Sequence, residues 1–224
     1  MAMASSALLR YDVASTGFHL FDAPTRASLE TLARSMGHPV ASSPGKPTVD
    51  TLVPKPQEDS RPGTLSSIHG THAFPFHTET AHWPEPVDLV LLRCVNPGAG
   101  NRPTLLVDGW DLGLAAAYIT RLKESVMVVR NGSRSFLAPL VTQKDDSIAL
   151  RYDQGCMAPS SAYDKALLTT LERRLSGATQ TSVRWKKGRC LILDNRRMLH
   201  SRGSTSMPDP DRKLERAYIV DPWT

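Results

Sequence analysis

The 224-residue sequence is 40% hydrophobic and 22% charged, the composition of a globular chain and not of a disordered one. Its net charge of +5 comes from 27 Lys and Arg scattered among 22 Asp and Glu, with aromatics at 6%, which argues against a nucleic-acid surface built from clustered cations and interleaved aromatics. No run approaches the roughly 18 apolar residues of a membrane span, and Cys94, Cys156 and Cys190 form neither a CxxC pair nor an even disulfide set.

The N-terminus lacks a basic region ahead of a long apolar stretch, so a reducing cytoplasm is the expected compartment. An early helix of about three turns is signalled by Asp22 as cap, Pro24 in the first turn, Leu29, Leu32, Ala33 and Met36 at helical spacing, and Gly37 as the stop. Residues 43–63, rich in Pro, Ser and Gly, predict an irregular arm with one short extended piece near Val49–Leu52. Beyond Phe74, β-type runs recur at Val87–Cys94, Thr104–Val107, Val126–Arg130, Phe136–Val141, Ile148–Tyr152, Thr181–Trp185, Cys190–Leu193 and Leu214–Val220. Helices are expected near Leu112–Leu122 and Ala162–Leu175, the second closed by Gly177. About eight strands is the count of a jelly roll. The chain therefore reads as one mainly β domain, 1–224, a double-stranded β-helix (jelly roll) with a few flanking helices: an N-terminal arm and helix over about 1–63, then a β core over about 64–224.

In Phe74-Pro75-Phe76-His77-Thr78-Glu79 a histidine and a carboxylate stand two apart, so on a strand both side chains leave the same face. An HxE pair arises often by chance and alone is weak; its weight comes from His200, a third candidate ligand placed after the run Cys190–Leu193. Two histidines and one carboxylate leave coordination positions open, which suits iron(II) with a chelating oxoacid and dioxygen. Further on, Arg212 and Arg216 are four apart and on a strand face one cavity together, where a guanidinium grips a carboxylate bidentately. Without His200, a solvated charged strand would be the better reading. Ser66, His69 and His72 precede the first ligand, and one of them, His72 above all, is expected to reach a polar substrate group. His82 reads as a solvated turn residue. Arg151 and Asp153 either contact an amino-acid-like substrate or pair with each other, pairing being the simpler reading. Asn195 and Arg196 are expected to shape the turn that aims His200, and Cys190 to be a small core residue.

These pieces, PFHTE, NRPTLLVDG, GRCLILDNRRMLH and the pair Arg212 and Arg216, resemble the TauD/TfdA and clavaminate synthase-like family of iron(II)- and 2-oxoglutarate-dependent dioxygenases over roughly residues 64–220. The resemblance implies His77, Glu79 and His200 as metal ligands, with iron(II), 2-oxoglutarate and dioxygen as cofactor and co-substrates. It also implies Thr104 with Arg212 on the oxoglutarate carboxylate, and Arg216 on a substrate anion or in support of the cofactor, either arginine being able to take the oxoglutarate. Glu79 in place of Asp is the clavaminate synthase-like variant, and its retention disfavours halogenation. Oxidation of a C–H bond in a small amino-acid-like or carboxylate-bearing metabolite is the implied activity, hydroxylation by default, with no nucleic acid or membrane partner. Better-known members are longer, chiefly in N-terminal helices and lid insertions, which leaves an open site, a carrier-tethered substrate or a lid lent within a homo-oligomer as alternatives. Two rival readings are a zinc hydrolase or lyase using His69, His72 and His77, and a non-catalytic basic binding module on a jelly-roll scaffold.

Overall fold

The computed structural model describes residues 6–222, apart from 24, 61–63, 145–146 and 208. The elements run α1 (Ser6–Thr16), β1 (Phe18–Asp22), α2 (Arg26–Met36), β2 (His38–Val40), β3 (Val49–Leu52), α3 (Leu65–His69), β4 (Leu89–Asn96) and β5 (Thr104–Asp108). A 3-10 turn (Gly109–Asp111) leads to α4 (Ala116–Glu124), β6 (Met127–Asn131), β7 (Arg134–Ala138), β8 (Val141–Lys144), β9 (Ser147–Leu150), β10 (Met157–Pro159) and α5 (Ala162–Ser176). β11 (Thr181–Val183), β12 (Arg189–Asp194), β13 (Met198–Arg202) and β14 (Lys213–Val220) complete the described chain.

Antiparallel pairing orders the large sheet β1-β12-β4-β14-β2, with β3 also on β14, and a smaller sheet β11-β5-β13. Side chains alternate across a strand, and in the central strands both faces are apolar. Val90, Leu92, Leu191, Leu193, Leu214 and Tyr218 turn inward to meet Leu106, Val183, Trp185 and Met198 of the small-sheet side. Their neighbours Leu89, Leu91, Cys190, Ile192, Ala217 and Ile219 turn outward, where Leu9, Val13, Leu29, Leu32, Ala33 and Met36 of α1 and α2 cover them. The far face of the small sheet, through Val107 and Leu199, packs on Leu122 of α4 and Leu167, Leu171 and Leu175 of α5. Helices therefore cover two facing antiparallel sheets, and the fold is a double-stranded β-helix.

One polar pair interrupts the outward face. Arg93 and Glu215 stand directly opposite each other on β4 and β14, their ion pair is 2.7 Å long, and Arg26 of α2 reaches the same carboxylate at 3.3 Å.

Several boundaries differ from the sequence expectation. Thr25, not Asp22, caps α2, its hydroxyl accepting from the Ser28 amide, because Asp22 ends β1; Pro24 lies outside the described residues. Gly37 does end α2: with φ at 153°, a Cβ there would stand 2.8 Å from the Val220 carbonyl oxygen. The expected strand Phe136–Val141 is two, β7 and β8, divided at Pro139 and Leu140, since proline lacks the amide a ladder needs. The helix expected from Leu112 starts at Ala116. α1, β1 and β13 had no sequence forecast.

Candidate active site

The segment from Phe74 to His77 lies along β13. His77 and His200 exchange two backbone hydrogen bonds of 3.0 Å, forming an isolated antiparallel bridge, and this bridge sets the imidazoles side by side, tilted by 50° with centroids 4.4 Å apart. His77 Nδ1 is 3.0 Å from the Pro75 carbonyl oxygen, which turns Nε2 toward the cavity. Glu79 departs from the strand expectation, because the chain leaves the bridge at His77 for a turn beginning at Glu79. Asn195 fixes that turn: its Oδ1 accepts from the Glu79 amide at 2.7 Å, and its Nδ2 donates to the carbonyls of Glu79 (3.0 Å) and Val87 (2.8 Å). Asn195 thus holds Glu79 from the turn between β12 and β13. Arg196 stays in the Asp194–Arg197 turn, its amide 2.9 Å from Asp194 Oδ1.

One potential ligand atom from each of His77, Glu79 and His200 lies within 4.8 Å of the other two. Glu79 Oε2 is 3.2 Å from His200 Nε2. Oε1 accepts from Arg216 at 2.9 Å and from the Tyr218 hydroxyl at 2.6 Å. Burial alone would raise the Glu79 carboxyl, yet Arg216, the hydrogen bond to His200 and the nearby His77 hold it well below the ordinary carboxylate range. Burial, with His200 alongside, lowers His77, which favours the neutral, metal-binding imidazole. Burial and the adjacent Glu79 charge push Tyr218 well up, keeping its proton for donation.

The site opens on a cavity of about 700 Å³ lined by the three candidate ligands together with Thr104, Arg212, Arg216, Ser66 and Asp153. Arg212 is 7% exposed, and its Nε has no hydrogen-bond partner among the described residues. Burial draws it down to about 10, partly offset by Asp209. Thr104 Oγ1 accepts from Trp185 Nε1 at 3.1 Å. Arg216 is differently placed: one nitrogen is on Glu79 and another is 3.3 Å from Asp50, with the guanidinium 4.4 Å from the Tyr218 ring centroid.

Other expectations are corrected. His72 is exposed and off the cavity wall, its carbonyl accepting from Arg202 Nε at 2.8 Å. Arg151 meets neither a substrate cavity nor Asp153: its guanidinium donates to the carbonyls of Ala81 (3.0 Å), Trp83 (2.7 Å) and Pro84 (2.7 Å), pinning the loop that follows Glu79. Asp153 instead accepts from the Gly155 amide at 2.7 Å. His82 lines the cavity. Among the described residues His69 and His72 join no metal-holding group with His77, which removes the ligand set of the zinc alternative. Cys190 is buried in the core as expected. Tyr218 and Asp50 escaped the sequence reading. For Tyr218 a signal existed, since it sits two residues from Arg216 and so on the same strand face. Asp50 becomes a neighbour of Arg216 only through the β3–β14 register.

A double-stranded β-helix that brings two histidines and one carboxylate together within one cavity has the donor set of a facial-triad metal protein. Residues 145–218 match the Taurine catabolism dioxygenase TauD, TfdA family, so the chain resembles that family, and the matched stretch includes His200, Arg212 and Arg216. Among solved structures, asparagine oxygenase in complex with Fe(II), 2S,3S-3-hydroxyasparagine and succinate is similar at 19% identity and TM-score 0.77, over 96% of this chain and 79% of that one. The non-heme iron oxygenase OrfP in complex with Fe and alpha-ketoglutaric acid is similar at 18% identity and TM-score 0.74, over 96% and 79%. OrfP with Fe, succinate and (3R,4R)-dihydroxy-L-Arg gives 18%, TM-score 0.73 and the same coverage. These likenesses establish the fold. No curated protein matches the sequence.

Proposed function

We propose that this protein is an iron(II)- and 2-oxoglutarate-dependent dioxygenase that hydroxylates a C–H bond of a small amino-acid-like or carboxylate-bearing metabolite. The observation that carries the reading is the meeting of His77, Glu79 and His200 within 4.8 Å beside Arg212, a buried arginine whose Nε has no hydrogen-bond partner among the described residues. The donor set fits the metal: two imidazoles and one carboxylate oxygen suit iron(II) and leave positions for other ligands. When bound, iron(II) with 2-oxoglutarate and dioxygen supplies the oxidising power, with succinate and carbon dioxide as by-products.

The chain's own residues bind and orient. Arg212, with its unpartnered Nε, takes the distal carboxylate of 2-oxoglutarate, and the Thr104 hydroxyl lines the same wall. Arg216, already on two protein carboxylates, supports Glu79, and its pairing favours Arg212 as the anchor. Ser66 and Asp153 on the cavity wall are placed to meet a polar or cationic substrate group, in keeping with the hydroxylated asparagine and arginine held by asparagine oxygenase and OrfP. Holding the substrate's C–H bond in one orientation is the protein's main contribution to selectivity. The three cysteines are free and buried, which fits a reducing compartment such as the cytoplasm. The scattered cations favour a small-molecule partner over a nucleic acid, and the β core with its N-terminal arm acts as one domain.

The test is anaerobic addition of iron(II) and 2-oxoglutarate, expected to give the visible absorption of a metal chelate, followed by a screen for substrate-dependent succinate over amino acids and related natural products. Glu79→Ala should abolish both signals; activity restored by zinc in place of iron would reject the assignment. Arg212→Met should leave iron binding intact but weaken 2-oxoglutarate by about 2–5 kcal/mol, the range for truncating a buried, hydrogen-bonded charge pair, so at least about thirtyfold in Kd.

A further inference from the structure

The two oxygens of the Glu79 carboxylate have different partners. Its Oε1 accepts two donors, the Tyr218 hydroxyl at 2.6 Å and Arg216 at 2.9 Å, while Oε2 faces His200 Nε2 at 3.2 Å. The donors are themselves fixed. Tyr218 is 4% exposed, and its ring meets Trp83 edge-on with centroids 5.8 Å apart. Arg216 is gripped from behind by Asp50, its direct partner in the β3–β14 register. Both donors stand on β14, a central strand of the large sheet.

We infer that Tyr218, Arg216 and Asp50 form a brace that confines Glu79 to one metal-facing oxygen and thereby keeps a coordination position free for the co-substrate. A carboxylate ligates a metal through one oxygen or both. Two histidines and a one-oxygen carboxylate leave three of six positions, enough for a two-oxygen chelator and dioxygen; a two-oxygen carboxylate would leave two. Charge-assisted bonds of this length are about twice as strong as neutral ones, and two of them on Oε1 oppose its rotation toward a metal. The brace therefore governs how many ligands the metal accepts more than how tightly the protein holds it. Tyr218 and Asp50 are positioning residues, acting through Glu79.

The inference rests on the proposed metal site, and the experiment separates the two. Mn(II) binding to the full chain is followed by water-proton relaxation, which counts exchangeable waters on the metal, and 2-oxoglutarate binding to the anaerobic iron(II) protein by the chelate absorption. Wild-type protein that binds neither metal, or binds equally well after His77→Ala, overturns the metal site and the brace with it. Given a metal site, Tyr218→Phe is expected to keep metal affinity within about threefold, to lose one of the exchangeable waters and to weaken 2-oxoglutarate by about tenfold, or about 1.4 kcal/mol. Asp50→Asn, farther from the metal and less disturbing to folding, should move co-substrate affinity in the same direction by about threefold, or about 0.7 kcal/mol. Unchanged 2-oxoglutarate affinity and water count in both variants overturns the brace, as does a parallel loss of metal and co-substrate affinity.

Discussion

At the scale of single residues, Asn195 shows how a side chain outside the candidate ligand set can hold one of its members. It is 2% exposed, and its amide satisfies the Glu79 amide and the carbonyls of Glu79 and Val87. Asn195→Ala would leave three backbone groups without these partners. Since one orphaned buried group costs about 1–3 kcal/mol, a loss of about 3 kcal/mol is expected in urea unfolding of the metal-free protein, with iron(II) affinity falling at least about tenfold in a parallel titration. A loss of stability without any loss of metal affinity would show that the turn holds Glu79 by other means. The residues the sequence motif marked, His77, Glu79, Thr104, His200, Arg212 and Arg216, all line the cavity, although Glu79 reaches it from a turn and not from the strand the motif suggested. Misreadings concern residues whose head groups are directed by turns: Arg151 sits two positions before Asp153 yet turns its guanidinium to the carbonyls of the 81–84 loop. Nothing local in the sequence announces those carbonyls.

Among elements, the long buried strands were the legible ones. β12 is apolar on both faces through Cys190–Leu193, β4 is broken only at Arg93 before its end, and β14 keeps an apolar second half after Arg216, so all three read as strands, whereas β13, which carries His200, mixes three environments in five residues. Met198 enters the inter-sheet core, Leu199 the α5 side and His200 the cavity, so no single period marks it. β1 is half exposed along its length and likewise lacks alternation sharp enough to read. The polar interruption in β4 and β14 has an energetic consequence at this scale. Arg93 and Glu215 are 6% exposed each and face each other across adjacent strands. Removing one partner of a buried pair strands the other charge, at about 3–5 kcal/mol, while replacing both by apolar groups is often neutral. Glu215→Leu alone should therefore lower stability by about that amount in guanidinium unfolding, and Arg93→Met with Glu215→Leu should recover most of it. If the double variant is no better than the single, the pair is fixing the α2 packing through Arg26 and not merely neutralising itself.

For the molecule as a whole, the proposed metal ties together segments that the fold alone joins loosely. His77 and Glu79 precede β4, His200 is on β13 of the small sheet, and Glu79 is bound to Arg216 and Tyr218 on β14 of the large one, so an ion at the three ligands links both sheets. A ligand that binds the native state and not the unfolded one stabilises by about 2.7 kcal/mol at a hundred times its Kd, and for a chain of this size about 2–4 °C accompanies each kcal/mol. Iron(II) added without oxygen should thus raise the melting temperature by roughly 5–10 °C, with a further rise on adding 2-oxoglutarate, and a chelator should reverse both. Acid should act in the opposite sense, through two groups that agree. Burial and His200 lower His77 from 6.5, so below that value the unfolded chain takes the proton first and stability falls with pH. Glu79, held by Arg216 and His200 below its usual 4.5, adds stability that is fully present above 4.5 and disappears as pH drops through its depressed value. The metal increment must decline over the same interval, because protonated imidazole and carboxyl cannot ligate. Calorimetry with and without iron(II) from neutral pH downward measures both effects, and a metal increment that persists undiminished after His77 and Glu79 are protonated would place the ion somewhere else in the protein.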